Sequence, residues 1–371
     1  MPRPPDIIVI GAGIVGCAIA YELARRGASV QVVEERTAGM GATQAAAGIL
    51  APYLEVRAHP AFLALAVRSL GLFDDFVSRV QADGGLSVQY RRSGTLQVAM
   101  NEEGLRELRH SAAQLEAQGI APGLLDAQAV RAEEPQLGHD VVGGLIVPTH
   151  GFVAAGDLVR ALAAAARRHG AQVIEGRHVR RISNVNGDVA VETDHGSLSG
   201  SAVVLAAGSW SGRIDIAGVS PVPVRPIRGQ LLRLAWKGSP LGRVVWADRC
   251  YLVPWDDGTL LVGATVEDAG FDERNTVAGV RDLLEAASEV VPGAWTAGFV
   301  EARAGLRPAS ADLLPIVGRS TVIPNLMYAT AHYRNGILLA PLTAMLVADA
   351  ILDNRIDPAL ATLSPQRFGD L

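Results

Sequence analysis

The apolar pattern changes period several times along the chain, and each change marks an element. The run DIIVI at 6–10 has the continuous apolar character of a parallel strand buried on both faces. Residues 14–26 follow with helical texture, Gly27 stops them, and 29–33 (SVQVV) predict a second strand ending at Glu34. A loop of small residues, TAGMGATQAAAG, occupies 37–48. Phe62, Leu65, Leu70, Phe73 and Val77 share a face and predict one helix over 59–81. Residues 95–100 are strand-like, and 102–118 and 126–134 predict two further helices.

The α/β texture resumes with an alanine-rich helix over 157–169, capped by Gly170, and strands at 172–175, 189–193 and 202–206. Between about 221 and 304 the pattern alternates. Strands at 230–234, 251–254 and 260–264 predict an antiparallel sheet with one exposed face, and 276–290 a helix. Strands near 314–317 and 326–330 precede a last helix reaching Leu352, with Pro341 expected in its first turn. The expected class is α/β plus α+β: a discontinuous Rossmann-like domain (1–82, 145–218 and 305–371) and a second, substrate-binding domain (83–144 and 219–304) on an antiparallel sheet. Ligands should bind where the two meet, above the carboxyl ends of the parallel strands.

The turn after the first strand carries the first chemical signal. Gly11, Gly13 and Gly16 read G-x-G-x-x-G. The first permits a tight turn, the second lets a pyrophosphate approach the backbone, and the third lets helix and strand pack closely. The helix N-terminus then offers free N–H groups to that pyrophosphate. Glu34, 23 residues after Gly11, stands where a carboxylate can accept from a ribose hydroxyl. Strand, helix, strand and acid in register make this a dinucleotide-binding unit, and this unit alone fits an NAD-dependent dehydrogenase as well as a flavoenzyme.

Composition removes other classes. The 371 residues are 49% hydrophobic and 19% charged, with a formal charge of −5, and no basic patch with interleaved aromatics points to nucleic acid. The two cysteines, Cys17 and Cys250, make neither a disulfide scaffold nor a metal site, and a reducing, cytoplasmic location is expected. The uncharged run 7–21 after Arg3 mimics a secretory signal, but the glycine spacing explains it better. That run and 336–348 are both read as too short to span a bilayer.

Four stretches carry a family resemblance: IGAGIVGCAIAYELARRG (9–27), ATQAAAGIL (42–50), CYLVP with VGAT (250–254 and 262–265), and GLRPASADLLPIVG with AHYRNGILLAP (305–318 and 331–341). Through them the chain resembles the D-amino-acid-oxidase-like flavoenzymes and, within these, the bacterial glycine oxidases of thiamine synthesis. The resemblance implies non-covalent FAD. It places Gly11, Gly13, Ile14, Val15, Gly16, Glu34 and Glu35 around the adenosine and pyrophosphate, and Thr43, Ala46, Ala47 and Gly48 along pyrophosphate and flavin. Val179 would meet adenine through its backbone; Ala207, Gly208 and Trp210 would also contact the cofactor. Arg334, Asn335, Gly336, Ile337 and Leu338 would face the pyrimidine side of the flavin, where a helix start stabilises negative charge. A covalent link through cysteine is not expected, because Pro308-Ala309-Ser310 follows Arg307.

The implied reaction is oxidative deamination of glycine, sarcosine or short D-amino acids by hydride transfer to flavin N5. Imine, glyoxylate and ammonia result, dioxygen becomes hydrogen peroxide, and the imine can pass to thiazole assembly. Arg307 in GLRP matches the family's substrate-carboxylate arginine, a planar fork suited to bidentate binding. Tyr251 matches the tyrosine that supports the same carboxylate, and Arg334 a second arginine near substrate and flavin. His332 reads as a packed histidine, since the hydride route needs no base, and Arg91 and Arg92 as a solvated or domain-edge pair. Two positions depart from the glycine oxidase pattern and bear on substrate scope: Arg249 replaces a histidine, and Val266 a methionine expected to line the pocket. The alternative activity is a D-amino-acid dehydrogenase passing electrons to a quinone or other carrier, and a non-catalytic flavin-carrying subunit is a further one. No metal site is expected, and the resemblance implies a homo-oligomer.

Overall fold

The computed structural model describes residues 6–56 and 59–371, so Arg3 lies outside the described residues. Its organising element is a six-stranded sheet in the order Ile316–Arg319, Leu326–Thr330, Ala202–Leu205, Ile7–Ile10, Val30–Val33, Gln172–Ile174. Every pairing in it is parallel except that of the edge strand Ile316–Arg319. The continuous apolar run of the first strand follows from its burial on both faces. Ile7 and Val9 pack against the layer of helices that includes Ile14–Arg25, Ala155–Arg168 and Gly336–Leu352. Ile8 and Ile10 pack the other way, against Ile182, Val189 and Val191 of a four-stranded sheet.

The second large sheet has eight strands, in the order Gly298–Ala309, Arg225–Ala235, Thr259–Gly263, Tyr251–Pro254, Val244–Trp246, Thr95–Ala99, Gly143–Val147, Gly123–Asp126. It is antiparallel apart from one parallel pairing, Val244–Trp246 with Thr95–Ala99. The expected exposed face is absent from its central strands. Leu232, Leu234, Leu252, Leu260 and Val262 pack under helix Val277–Val290, while Leu231, Val253 and Leu261 pack with Ala47 and Phe152 on the opposite side. Both faces are therefore apolar, which the shortness of the alternating runs concealed. The boundaries expected at 144/145 and 304/305 fall inside strands Gly143–Val147 and Gly298–Ala309.

Two further expectations need correction. The single helix over 59–81 is two helices, Pro60–Gly71 and Phe73–Gly84, parted at Leu72. Leu70, Phe73, Phe76 and Val77 are all buried, so the apolar stripe runs across the break in phase. The poor helix former Gly71 and the acidic Asp74 and Asp75 in the new first turn mark the break instead. Pro341 sits inside helix Gly336–Leu352 rather than in its first turn. The helix survives because Ser69, from the neighbouring helix, repairs it: its hydroxyl donates to the Leu338 carbonyl at 2.6 Å and accepts from the Leu342 N–H at 3.4 Å. With the 3₁₀ turn before it, this element spans Tyr333–Leu352, 20 residues whose most apolar 18-residue window has a mean hydropathy of 1.8, and it is longer than the run read from the sequence. It is long and apolar enough to cross a membrane, yet 78% of its most apolar window is buried inside the molecule, as in a core helix.

Candidate functional site

Two helix N-termini open onto one elongated cavity. Gly13 precedes helix Ile14–Arg25, and Gly336 begins the last helix; neither helix has a side-chain cap from its own N-cap residue. The cavity holds about 1640 Å³ of empty volume, counting its open mouth, and runs from the ends of the parallel strands to the eight-stranded sheet.

At one end the lining is mostly backbone. Gly11 has φ +101°, and a Cβ there would lie 2.5 Å from the Ala206 carbonyl oxygen. A Cβ on Gly16 would lie 1.9 Å from the Gly11 oxygen, so this glycine serves helix–strand packing and does not reach the cavity. Gly13 differs from both. A Cβ there would meet nothing closer than the Thr43 hydroxyl at 3.6 Å, and it would project into the cavity. The fold does not need this glycine, so the free space beside it is room for a ligand. The Thr43 hydroxyl accepts from the Ile14 N–H at 3.0 Å, locking the small-residue loop to the helix start. The Glu34 carboxylate accepts from the N–H of Ala12 at 2.6 Å and of Arg36 at 2.8 Å, which aims it across the glycine turn with lone pairs to spare.

Ile14, Val15, Glu35, Ala46, Ala47, Gly48, Val179, Ala207, Gly208 and Trp210 all line the same cavity. Asn335 and Leu338 are buried but do not line it. The Leu338 carbonyl is turned to Ser69, and the Asn335 N–H closes a turn on His332. Sequence reasoning missed the rim. Arg36 grips Glu273 through two hydrogen bonds and lies over the Trp210 ring at 4.7 Å, and His178 faces Glu35 at 3.3 Å. These pairs join segments up to 237 residues apart, and no local signal marks them.

At the other end side chains do the work. Arg307 projects from strand Gly298–Ala309, and its Nη1 donates to the carbonyls of Thr265 at 2.9 Å and Arg228 at 3.3 Å. Among the described residues no carboxylate lies within ion-pair distance of it. Burial pulls the Arg307 guanidinium below its ordinary pKa; Tyr251 opposes this and Arg334 adds to it. Burial pushes the Tyr251 hydroxyl up, against the pull of Arg307, to which it is hydrogen-bonded. Both side chains lie across glycines on the neighbouring strand. A Cβ on Gly229 would be 2.3 Å from the Arg307 guanidinium, and one on Gly263 would be 2.5 Å from the Tyr251 ring. Gly229 and Gly263 are thus functional positions of a kind sequence reading overlooked, although the VGAT stretch contains the second.

Arg334 reaches the same end from the 3₁₀ turn Tyr333–Asn335, with Glu55 facing it at 3.9 Å. Burial works against charge on Arg334, yet Glu55 and Tyr333 hold its pKa above the ordinary value. Burial raises the Glu55 carboxyl, and Arg334 and Arg307 pull the other way. Glu55 was not foreseen, because nothing near it in sequence carries chemistry. His332 also lines the cavity. It is fully buried, bonded to the Thr343 hydroxyl at 3.1 Å, and burial lowers its pKa to about 4, as a packed neutral imidazole requires. The two departures lie elsewhere: Arg249 pairs with Glu289 at 2.7 Å in solvent, and Val266 is exposed and outside the lining. Arg91 pairs with Asp256.

The family model for FAD dependent oxidoreductases (DAO) matches residues 6–350. The chain belongs to this family. The Gly13 cradle, the Glu34 carboxylate and the two open helix ends fit the FAD that the family uses. A bifunctional protein ThiO/ThiG from a Nostoc species is 39% identical over 362 residues, covering 96% of this chain and 54% of that one. The chain thus spans about half the length of such bifunctional relatives. The solved glycine oxidase of Geobacillus kaustophilus is 33% identical, with a TM-score of 0.94 covering 98% of this chain and 99% of that one. The iminodiacetate oxidase of Chelativorans sp. BNC1 is 27% identical, with a TM-score of 0.89 covering 97% and 98%. As a member of the FAD-dependent oxidoreductases, the chain places all three residues expected to hold substrate, Arg307, Tyr251 and Arg334, in the lining of one cavity.

Proposed function

We propose that this chain is an oxidase of glycine and other small amines, including sarcosine and short D-amino acids, with dioxygen as electron acceptor. The observation that carries the reading is Arg307: a largely buried guanidinium held by two carbonyls and a tyrosine hydroxyl, with no carboxylate in ion-pair distance among the described residues. A buried charge without a counter-ion is costly, and a substrate carboxylate supplies one. Bound FAD supplies the hydride acceptor and the route for electrons to leave. The chain's own residues do the rest. Arg307 and Tyr251 hold the carboxylate, and Arg334 adds positive charge beside it. His332, neutral and bonded to Thr343, takes no proton. The imine that leaves hydrolyses to glyoxylate and ammonia or serves thiazole synthesis, a role supported by the likeness to the bifunctional ThiO/ThiG proteins.

An anaerobic titration of the flavin spectrum with glycine, sarcosine and D-alanine, followed by admission of air, tests this. Bleaching by glycine and peroxide release on aeration are expected. Absence of bleaching by every amine refutes the reading, and bleaching without peroxide assigns the electrons to another carrier.

A further inference from the structure

We infer that Glu55 is a specificity-determining residue: set against Arg334 at the substrate end of the cavity, it admits amines bearing one carboxylate and turns away those bearing a second acidic group. This rests on the functional reading above. Glu55 ends the short helix Pro52–Glu55, and its side chain is only 15% exposed. It faces Arg334 at 3.9 Å and senses Arg307 beyond it. Two guanidiniums and one carboxylate leave a single net positive charge in this end of the cavity. One substrate carboxylate neutralises it. A second would lie beside Glu55, whose side chain is only 15% exposed, and like charges a few ångströms apart under such partial screening disfavour each other by roughly tenfold or more in affinity.

The fold itself does not impose this limit. The Chelativorans relative, whose name states that it oxidises iminodiacetate, a diacid, superposes with a TM-score of 0.89. The selection must therefore come from side chains, and among the described residues Glu55 is the acid in ion-pair range of Arg334, one of the two arginines at the substrate end of the cavity. A merely structural Glu55, present to steady Arg334, predicts a different pattern: its loss would weaken every ligand alike.

The test compares wild-type holoenzyme with Glu55→Gln at about pH 7 and at about pH 8.5, the higher pH favouring the carboxylate form of Glu55. Dissociation constants for acetate and malonate, neither of which is oxidised, are read from perturbation of the flavin spectrum. kcat/KM is read for glycine and iminodiacetate. In Glu55→Gln the malonate-to-acetate affinity ratio and the iminodiacetate-to-glycine kcat/KM ratio should each rise about tenfold or more. Glu55→Asp, which keeps the charge, should stay within about threefold of wild type. Should the glutamine variant not fold, Glu55→Ala must show the same rise in ratio. Equal weakening of both ligands overturns the inference. If wild type binds acetate but never oxidises glycine, the functional reading falls while the malonate ratio still decides Glu55.

Discussion

The two ends of the cavity are built by different means. The cofactor end is mostly main chain from one stretch, 7–48: a glycine turn, a helix start, an acid at a strand end. The substrate end is assembled from side chains at 55, 251, 307 and 334, each on a different element. Backbone recognition leaves a spacing rule in the sequence, because each glycine answers to a fixed neighbour a few residues away. Side-chain recognition leaves isolated residues whose meaning depends on strand register. Tyr251 is placed by its pairing with Gly263, and Arg307 by leaning over Gly229 from the adjacent strand.

The largest expected effect separates the ends outright. Gly13→Val should abolish FAD binding while leaving the chain folded. Gly13 has φ −69°, which valine adopts, and the protein leaves 3.6 Å to the nearest atom. Purified variant with native-like circular dichroism and no flavin absorbance is the expected result, and a yellow preparation would contradict the cradle. Arg307→Lys attacks the other end. It loses the fork and about 2–4 kcal/mol of transition-state binding, or roughly 30- to 1000-fold in kcat/KM for glycine. FAD should remain bound with unchanged affinity. A variant that lost flavin as well would show that the two ends are not independent.

Sequence legibility follows the same division. The βαβ unit was readable because apolar runs, Gly27 and Glu34 are all local signals. Gly16 was assigned its packing role correctly but does not touch the cavity, since the G-x-G-x-x-G pattern mixes ligand and packing demands. Arg307, Tyr251 and Arg334 were found only through family motifs. Glu55 and the Arg36–Glu273 pair were invisible, because their partners lie hundreds of residues away. Pro341 was misplaced for the same reason: the hydroxyl that lets a helix contain it belongs to Ser69.

His332 lies on the wall between the ends and gives an acid-stability signature. Burial holds its pKa at about 4 in the folded chain, against about 6.5 when unfolded. Above pH ~6.5 both states are neutral there and the stability is whole; as pH falls toward 4 the unfolded chain binds a proton the folded one refuses. The loss approaches about 3 kcal/mol, with a slope near 1.4 kcal/mol per pH unit. His332→Gln, which can still reach Thr343, should remove that part of the acid sensitivity. Urea midpoints at about pH 7 and pH 4.5 measure it. Equal acid losses in both proteins would mean that His332 is solvated.

The smallest effect belongs to the seam that joins the ends. Arg36, just past the first domain's acidic strand end, holds Glu273 from the 264–276 segment at 3.1 and 2.7 Å. The side chains are 38% and 28% exposed, so water screens the pair and it contributes below about 1 kcal/mol. Glu273→Gln should lower the melting temperature by a degree or two in dilute buffer and not at all in about 1 M salt. Arg36→Ala should cost more, and lose it less completely in salt, because the guanidinium also covers Trp210 at 4.7 Å and its stem packs there. If the two variants behave alike at both salt concentrations, the ring contact contributes nothing and the seam is held by charge alone.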